Sequence, residues 1–341
     1  MSSAFACAAA GGTRHFVARR GNWRRLGRRR FRYVDASGAE IRDAEQLARV
    51  RSLVIPPAWE DVWISPNPRA HVQATGIDAA ERKQYRYHPR YRAAQEQAKF
   101  DRLFHFAKAL PVIRTRGARD LGRKSYERDW ACALAVGLIN KAWFRAGSDR
   151  HAKRARTYGI TTLTQRHVSV VDSEVRFIFR GKNSKLVRRS VRSEPLARGV
   201  SELLELPGGG RLFRYEREGD LMPLTAPHLN GYIAEHMGNG FTAKDFRTWG
   251  GTLVAASQLA RRGPAESERD AKRTLVSVMR AVGDELGNTP AVARNSYVSP
   301  VVVDAYLAGR TLEDFRTATA RPRQLSADER ALVRMLRAAS R

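Results

Sequence analysis

The hydrophobic pattern changes near Lys99, and this change constrains the fold more than any other feature of the 341-residue chain. Before Lys99, short runs alternate apolar and polar side chains, as is typical of β-strands. After it, apolar residues recur at intervals of three and four, which predicts helices. The sequence therefore predicts an α+β protein with a small β-rich N-terminal domain and a larger, mainly helical domain that contains a β-hairpin.

We expect four segments along the chain. Residues 1–20 combine small residues with basic ones and predict a disordered basic tail, and residues 21–98 form the β-rich domain. Residues 99–320 form the helical domain, with a hinge expected near residues 89–100, and residues 321–341 form a C-terminal helical tail.

The charge of the chain indicates the kind of partner. The formal net charge is +28, and Arg and Lys residues run from Arg14 to Arg341. Such a surplus favours a polyanion, and double-stranded DNA is the partner that we expect, with binding that weakens as salt rises. A non-catalytic, basic DNA-packaging protein would also explain the charge, although a charge that is not confined to one tail argues against a purely structural role.

Cysteine content and hydropathy suggest the compartment. Cys7 and Cys132 are the only cysteines, too few for a disulfide framework or a zinc site, which suits a reducing cytoplasm. No apolar run approaches 18 residues, so we expect no membrane span. We expect a cytoplasmic, nucleoid-associated protein.

Residues 286–300 predict a helix end, a tight turn and a new helix. Gly287 suits the position just past a helix C-terminus, Thr289 can cap the next helix, and Pro290 can begin it. Tyr297 follows about two turns later. The turn therefore presents the amide of Asn288, and the helix end presents a phenol. A tyrosine near a helix end can also be ordinary packing.

Other polar side chains stand at defined places in the predicted elements. We expect Arg145 to end a long helix that begins near residue 126, and Arg247 to lie inside a helix that begins at Thr242. Strand-like runs at 174–179 and 186–191 flank the turn 181–185, which places Lys182 at a hairpin tip. Each of these residues could also be a solvated surface cation.

Together these residue types suit chemistry on a phosphodiester. A tyrosine can attack phosphorus and form a covalent phosphotyrosine. Arginines can hold the charged phosphate, a lysine can protonate the leaving oxygen, and an amide can donate one more hydrogen bond. The candidate catalytic residues are Tyr297, Arg145, Lys182, Arg247 and Asn288.

Residues 82–88 alternate charged and aromatic side chains, a pattern that suits insertion of a strand into a DNA groove. An exposed edge strand would show the same alternation. The candidate DNA-binding residues are Gln73, Arg82, Lys83, Gln84, Tyr85, Tyr87 and Lys244.

The chain resembles the small poxvirus-type DNA topoisomerases IB of bacteria and viruses over roughly residues 28–309. The resembling segments in the first domain are 55–59 (IPPAW), 71–76 (HVQATG) and 83–88 (KQYRYH). Those in the second are 158–163 (YGITTL), 179–182 (FRGK), 242–249 (TAKDFRTW) and 286–297 (LGNTPAVARNSY).

The resemblance implies the catalytic fold shared by tyrosine recombinases and topoisomerases IB, and an enzyme that nicks and closes DNA. It implies that Tyr297 forms a 3′-phosphotyrosyl link, that Arg145 and Arg247 hold the phosphate, and that Lys182 protonates the leaving 5′-oxygen. Asn288 would stand where many relatives have histidine. The resemblance implies no ATP and no metal, and we expect no other cofactor. We expect a monomer, because one chain contains all five roles, and we expect its two domains to close as a clamp around DNA.

The chain departs from the family pattern at residues 144–151 and 79–81, which affects the expected rate and site preference more than activity. A site-specific tyrosine recombinase is the nearest alternative. It would usually carry histidine three residues before the second arginine, where this chain has Lys244. The preferred cleavage sequence and the acceptor of the phenolic proton do not follow from the sequence.

Overall fold

A computed structural model describes residues 21–28, 30–123, 125–318 and 324–339. The predicted basic tail, residues 1–20, lies outside the described residues. The chain forms two compact units that meet between Lys99 and Phe100.

The first unit is built on a five-stranded antiparallel sheet with the strand order β2-β1-β3-β4-β5. Its elements are β1 (Trp23–Leu26), β2 (Arg32–Val34), α1 (Ala44–Ser52), β3 (Glu60–Ile64), β4 (Val72–Ile77) and β5 (Lys83–Tyr87). Its core comprises Trp23, Ile41, Val50, Val62, Ile64 and Ala74. This confirms the β-rich N-terminal region.

Strand β1 lies inside a basic run, residues 19–30, whose sequence pattern is dominated by arginine and shows no clear alternation. Trp23 is buried in the core, and Arg25 folds back to donate a hydrogen bond to the carbonyl oxygen of Pro56 at 3.0 Å. The guanidinium of Arg25 also lies 4.2 Å from the ring centroid of Phe31. The sequence pattern did not predict this strand because charged residues dominate it. An arginine side chain can pack its methylene groups on a sheet while its guanidinium stays polar.

Helix α2 (Pro89–Leu121) spans the boundary between the units and is 33 residues long. The expected hinge at residues 89–100 therefore lies within a helix. The helix continues through Pro111, which the sequence pattern did not predict because an internal proline removes one backbone hydrogen bond.

The second unit is mainly helical, as predicted. Its helices after α2 are α3 (Arg128–Ala142), α4 (Asp149–Ala155), α5 (Glu194–Glu205), α6 (Ala226–Met237), α7 (Ala243–Arg262), α8 (Glu268–Leu286), α9 (Pro290–Ser296), α10 (Pro300–Leu307) and α11 (Ala327–Ala339). Its strands are β6 (Val168–Val171), β7 (Glu174–Arg180), β8 (Leu186–Arg192), β9 (Arg214–Arg217) and β10 (Asp220–Pro223). Strands β6, β7 and β8 form one antiparallel sheet, and β9 pairs with β10.

Helix α11, expected as a tail, packs into the core of the second unit. Leu332 and Met335 are buried in that core. Glu329, in the first turn of α11, is 5% exposed; its carboxylate accepts two hydrogen bonds from Arg114 of α2, at 2.8 and 2.6 Å, and one from Trp249 Nε1 of α7 at 3.2 Å. The C-terminal helix therefore fixes α2 and α7 to each other.

Among the described residues, no helix is both long enough and apolar enough to cross a membrane.

Candidate active site

The turn between α8 and α9 has the predicted geometry. Gly287 ends α8 with φ +63°, in the left-handed region that favours glycine. Thr289 caps α9 through its side chain, which accepts a hydrogen bond from the backbone N–H of Val292, and Pro290 is the first helical residue. The backbone N–H of Asn288 donates to the carbonyl oxygen of Gly283 at 2.7 Å. Asn288 is therefore held at a fixed place beside the end of α8.

Arg145 does not end helix α3, which corrects the prediction. The helix stops at Ala142 because Trp143 adopts a left-handed conformation, with φ +53°. Arg145 lies in the following loop, where its carbonyl oxygen accepts a hydrogen bond from Ile160 N at 2.8 Å. Its guanidinium Nη2 donates to Oδ1 of Asn288 at 2.9 Å. The structure thus brings the first predicted arginine and the predicted amide into direct contact.

Arg247 lies on α7 and is almost fully buried, with 4% of its surface exposed. Its guanidinium donates to the carbonyl oxygens of Trp143 and of Leu286, the latter at 2.7 Å, while Nε has no hydrogen-bond partner among the described residues. Burial and the nearby charge of Arg145 lower the pKa of Arg247 to about 10. A buried cation that has carbonyl oxygens but no carboxylate among its described partners favours binding of an anion.

Tyr297 lies beside both arginines. The guanidinium carbon of Arg247 is 5.2 Å from the centroid of the Tyr297 ring. Burial acts to raise the pKa of Tyr297, but a hydrogen bond and charge from Arg247 and the charges of Arg145 and Lys244 outweigh it, so the pKa is lowered. The site therefore favours the ionised phenol.

Lys182 lies at the tip of the hairpin formed by β7 and β8, as predicted, and its side chain is exposed. It lines one cleft of about 230 Å³ together with Arg145, Arg247 and Asn288. Four of the five predicted catalytic residues therefore line the same cleft. The ring of the fifth, Tyr297, lies against the guanidinium of Arg247, which is one of those four.

Lys244, placed by the sequence among the DNA-binding candidates, is exposed in the first turn of α7. Its charge contributes to the lowered pKa of Tyr297.

The DNA-binding candidates of the first unit fall into three settings. The rings of Tyr85 and Tyr87 stack with centroids 5.8 Å apart on β5, with Lys83 Nζ 5.9 Å from the Tyr85 centroid. Arg82 and Gln84 form the second setting, in which both side chains donate hydrogen bonds to the carboxylate of Asp78.

The third setting is that of Gln73, which is 3% exposed. Its amide accepts from Arg49 Nη2 at 2.7 Å and donates to the carbonyl oxygens of Asn67, Pro68 and Ala70. These bonds favour a role in holding the loop before β4, whereas contact with DNA stays a prediction for this residue.

Two residues that position Tyr297 were not found from the sequence. Thr252, fully buried on α7, donates from Oγ1 to the carbonyl oxygen of Tyr297 at 3.0 Å and accepts from the backbone N–H of Ser299 at 3.1 Å. A Cβ atom added to Gly251 would lie 2.8 Å from the carbonyl oxygen of Tyr297 and 3.0 Å from its Cβ. A glycine within a helical pattern is the one signal that could have indicated this close approach.

A further unpredicted contact involves Arg189 of β8. Its Nη2 donates to the carbonyl oxygens of Asp284, at 3.0 Å, and of Glu285, the last residues of α8 before Leu286. Because β8 and β7 form the hairpin that carries Lys182, this contact fixes the hairpin to the helix that leads to Asn288.

The family described as "Eukaryotic DNA topoisomerase I, catalytic core" matches residues 88–309, and "Bacterial DNA topoisomerase IB, N-terminal domain" matches residues 30–78.

Among curated proteins, a protein named DNA topoisomerase 1B from Acanthamoeba polyphaga mimivirus is 30% identical over 285 residues, which cover 81% of this chain and 84% of the relative. A mitochondrial DNA topoisomerase I from Pan troglodytes is 29% identical over 49% of this chain and 29% of its own length. DNA topoisomerase 1 from Drosophila melanogaster is 30% identical over 40% of this chain and 15% of its own length.

Proposed function

Because this chain belongs to the type IB DNA topoisomerase family, a family of isomerases, we propose that it relaxes supercoiled duplex DNA by transient cleavage of one strand. Tyr297 forms a 3′-phosphotyrosyl link, the freed 5′ end rotates, and the reverse reaction rejoins the strand. One observation supports this proposal above the others. Among the described residues, Arg145 and Arg247 have no carboxylate partner, and the charges of both lower the pKa of the Tyr297 phenol beside them.

The two arginines supply the charge that the reaction needs. Negative charge builds on the non-bridging phosphate oxygens as the Tyr297 oxygen attacks phosphorus. Arg247 is already buried and fixed by two carbonyl oxygens, so it needs little rearrangement to stabilise that charge. The same charges that lower the pKa of Tyr297 would next hold the phosphate to which it becomes linked.

Asn288 and Lys182 complete the proposed set. The side-chain oxygen of Asn288, Oδ1, accepts from Arg145 and orients it. The NH₂ group of the same amide lies 3.4 Å from the carbonyl oxygen of Leu286, and its second hydrogen can donate to a phosphate oxygen. Lys182, exposed at the hairpin tip and facing the same cleft, protonates the 5′-oxygen as its bond to phosphorus breaks.

The proposed steps consume no ATP, because the phosphotyrosyl link conserves the energy of the broken phosphodiester bond. They also need no metal, since guanidinium groups supply the positive charge. We further propose that the protein acts as a monomer, because one chain carries all five roles.

The experiment that tests the proposal is relaxation of supercoiled plasmid with EDTA present and ATP absent. The wild-type protein should relax the plasmid, and Tyr297→Phe should bind the DNA without cutting it. Tyr306→Phe, which changes a buried tyrosine of the neighbouring helix α10, serves as the matched control and should relax normally.

Residual relaxation by a clean Tyr297→Phe preparation would remove Tyr297 from the role of nucleophile. Tight, salt-sensitive binding without relaxation by the wild-type protein would point to a non-catalytic DNA-packaging role.

A further inference from the structure

The turn between β4 and β5 is organised by one carboxylate. Oδ1 of Asp78 accepts the backbone N–H groups of Ala80 and Arg82, at 3.0 and 2.9 Å. Oδ2 accepts side-chain donors: Arg82 Nε at 2.8 Å, Arg82 Nη2 at 2.7 Å and Gln84 Nε2 at 2.7 Å. One half of the carboxylate therefore shapes the turn, and the other half holds two side chains expected to meet DNA.

This contact decides which way the amide of Gln84 points. An ionised carboxylate has only acceptors, so the end of the amide that meets Asp78 must be the NH₂ group. The hydrogen bond from Arg82, together with those from Gln84 and the backbone, holds the pKa of Asp78 well below its usual range, although burial opposes this shift. The carboxylate is therefore ionised at any pH at which the protein would be used.

The remaining hydrogen-bonding groups of Gln84 form a specific pattern. Its Oε1 is left to accept, and the second hydrogen on Nε2 is left to donate. In the major groove, adenine offers a donor at N6 and an acceptor at N7, and a glutamine amide matches this pair with two hydrogen bonds. A glutamine with no fixed partner could turn over and present its two ends in the opposite order.

The same carboxylate restrains Arg82. The side chain of Arg82 is 56% exposed, but the edge formed by Nε and Nη2 is occupied by Asp78. Guanine is read by arginine through two parallel N–H donors to O6 and N7. Holding one edge of the guanidinium limits this alternative contact.

We propose that Asp78 determines the base preference of the β4–β5 segment, by fixing Gln84 in the orientation that reads adenine and by restraining Arg82 from guanine. Asp78 is thus a positioning residue for recognition, not a group that touches the DNA. This inference rests on the proposed function, since it takes duplex DNA as the partner of this segment.

The test selects bound sequences from a pool of randomised duplexes with the full-length Tyr297→Phe protein, so that binding is measured without cleavage. In that background, Asp78→Asn keeps the Oδ1 acceptor for the turn but presents an NH₂ group to Gln84. The amide of Gln84 should turn over, and the adenine preference at one position should fall by roughly tenfold, with a gain for guanine.

Asp35 provides a matched control in the same unit. Its Oδ1 accepts the backbone N–H groups of Ser37 and Ala39, at 2.9 and 3.0 Å, in the same spacing as at Asp78, but among the described residues it holds no arginine or glutamine side chain. Asp35→Asn should leave the selected sequences unchanged.

A second variant keeps the inference testable if the turn fails to form in Asp78→Asn. Gln84→Met has a similar shape but no amide, and it should lose the adenine preference without gaining guanine while Asp78 keeps the turn.

Duplex binding by the parent with identical base preferences in Asp78→Asn would overturn the inference and leave the proposed function standing. An adenine preference that survives in Gln84→Met would overturn it as well. Absence of any duplex binding by the parent would instead refute the proposed function and this inference together.

Discussion

Thr252→Val should show whether Thr252 positions Tyr297 for cleavage in addition to stabilising the second unit. Valine has nearly the shape of threonine, so the substitution leaves no cavity and removes only the hydroxyl. That hydroxyl joins the carbonyl oxygen of Tyr297 to the backbone N–H of Ser299, and Thr252 and Ser299 are both fully buried.

The magnitude follows from the two hydrogen bonds. Leaving the buried N–H of Ser299 without a partner costs about 1–3 kcal/mol, and the weakened carbonyl contact adds about 1 kcal/mol. Burying a methyl group in place of a hydroxyl returns part of this, so we expect a net loss of about 2 kcal/mol in the free energy of unfolding. A shift of Tyr297 by a fraction of an ångström should slow cleavage by about 10- to 100-fold.

The assay is single-turnover cleavage of duplex DNA, followed as covalent protein–DNA complex, beside urea unfolding of the same proteins. Thr252→Ser keeps the hydroxyl and should cleave at close to the wild-type rate. Thr248→Val is the matched control, because Thr248 is buried on the same helix and its hydroxyl has no hydrogen-bond partner among the described residues. A Thr252→Val protein that is destabilised yet cleaves as fast as Thr248→Val would refute the positioning argument.

Three further predictions concern other contacts within the second unit. Gly251→Ala should push against Tyr297 and reduce single-turnover cleavage by about 10- to 100-fold, whereas Gly231→Ala, whose added methyl group meets nothing within 4 Å, should leave cleavage unchanged. Arg145→Lys should lose most relaxation activity, because lysine cannot make a bidentate contact with phosphate; wild-type turnover would remove Arg145 from the site. Glu329→Gln should lower the free energy of unfolding by about 3 kcal/mol, because the substitution leaves a partly buried arginine without its charge partner. Burial acts to raise the pKa of Glu329, but hydrogen bonds and charge from Arg114 outweigh it, so the pKa is lowered. The ionised Glu329 therefore contributes to the free energy of unfolding above pH ~4.5, and this contribution should be lost as the pH falls through the lowered pKa of the folded protein. Urea unfolding at several pH values checks this sign, because Glu329→Gln should show no such loss.

Features set by local interactions could be predicted from the sequence. The end of α8 at Gly287, the cap at Thr289 and the hairpin tip at Lys182 each depend on residues within a few positions of one another. The α+β architecture followed in the same way, because helix and strand periodicities differ within short windows.

The features that the sequence did not predict depend on contacts between distant segments. Helix α3 ends early because Trp143 turns into a left-handed conformation, and its indole packs where a Cβ on Gly250 would lie 2.2 Å away. The burial of Gln73 depends on Arg49 from another element. The role of Thr252 depends on Tyr297, which lies 45 residues further along the chain. No local periodicity reports such pairings.

Strand β5 lies at an edge of the five-stranded sheet, so the charges that make it a candidate DNA contact also affect association between molecules. An edge strand offers free backbone groups to any other exposed strand, and lysine and arginine side chains oppose such pairing. Arg82 directly precedes this strand and Lys83 begins it, close to the exposed rings of Tyr85 and Tyr87. Neutralising both charges would leave Arg86 as the cation of this strand, beside two exposed aromatic rings, and would favour intermolecular strand pairing. Loss of DNA binding in such a variant should therefore be interpreted together with its tendency to aggregate.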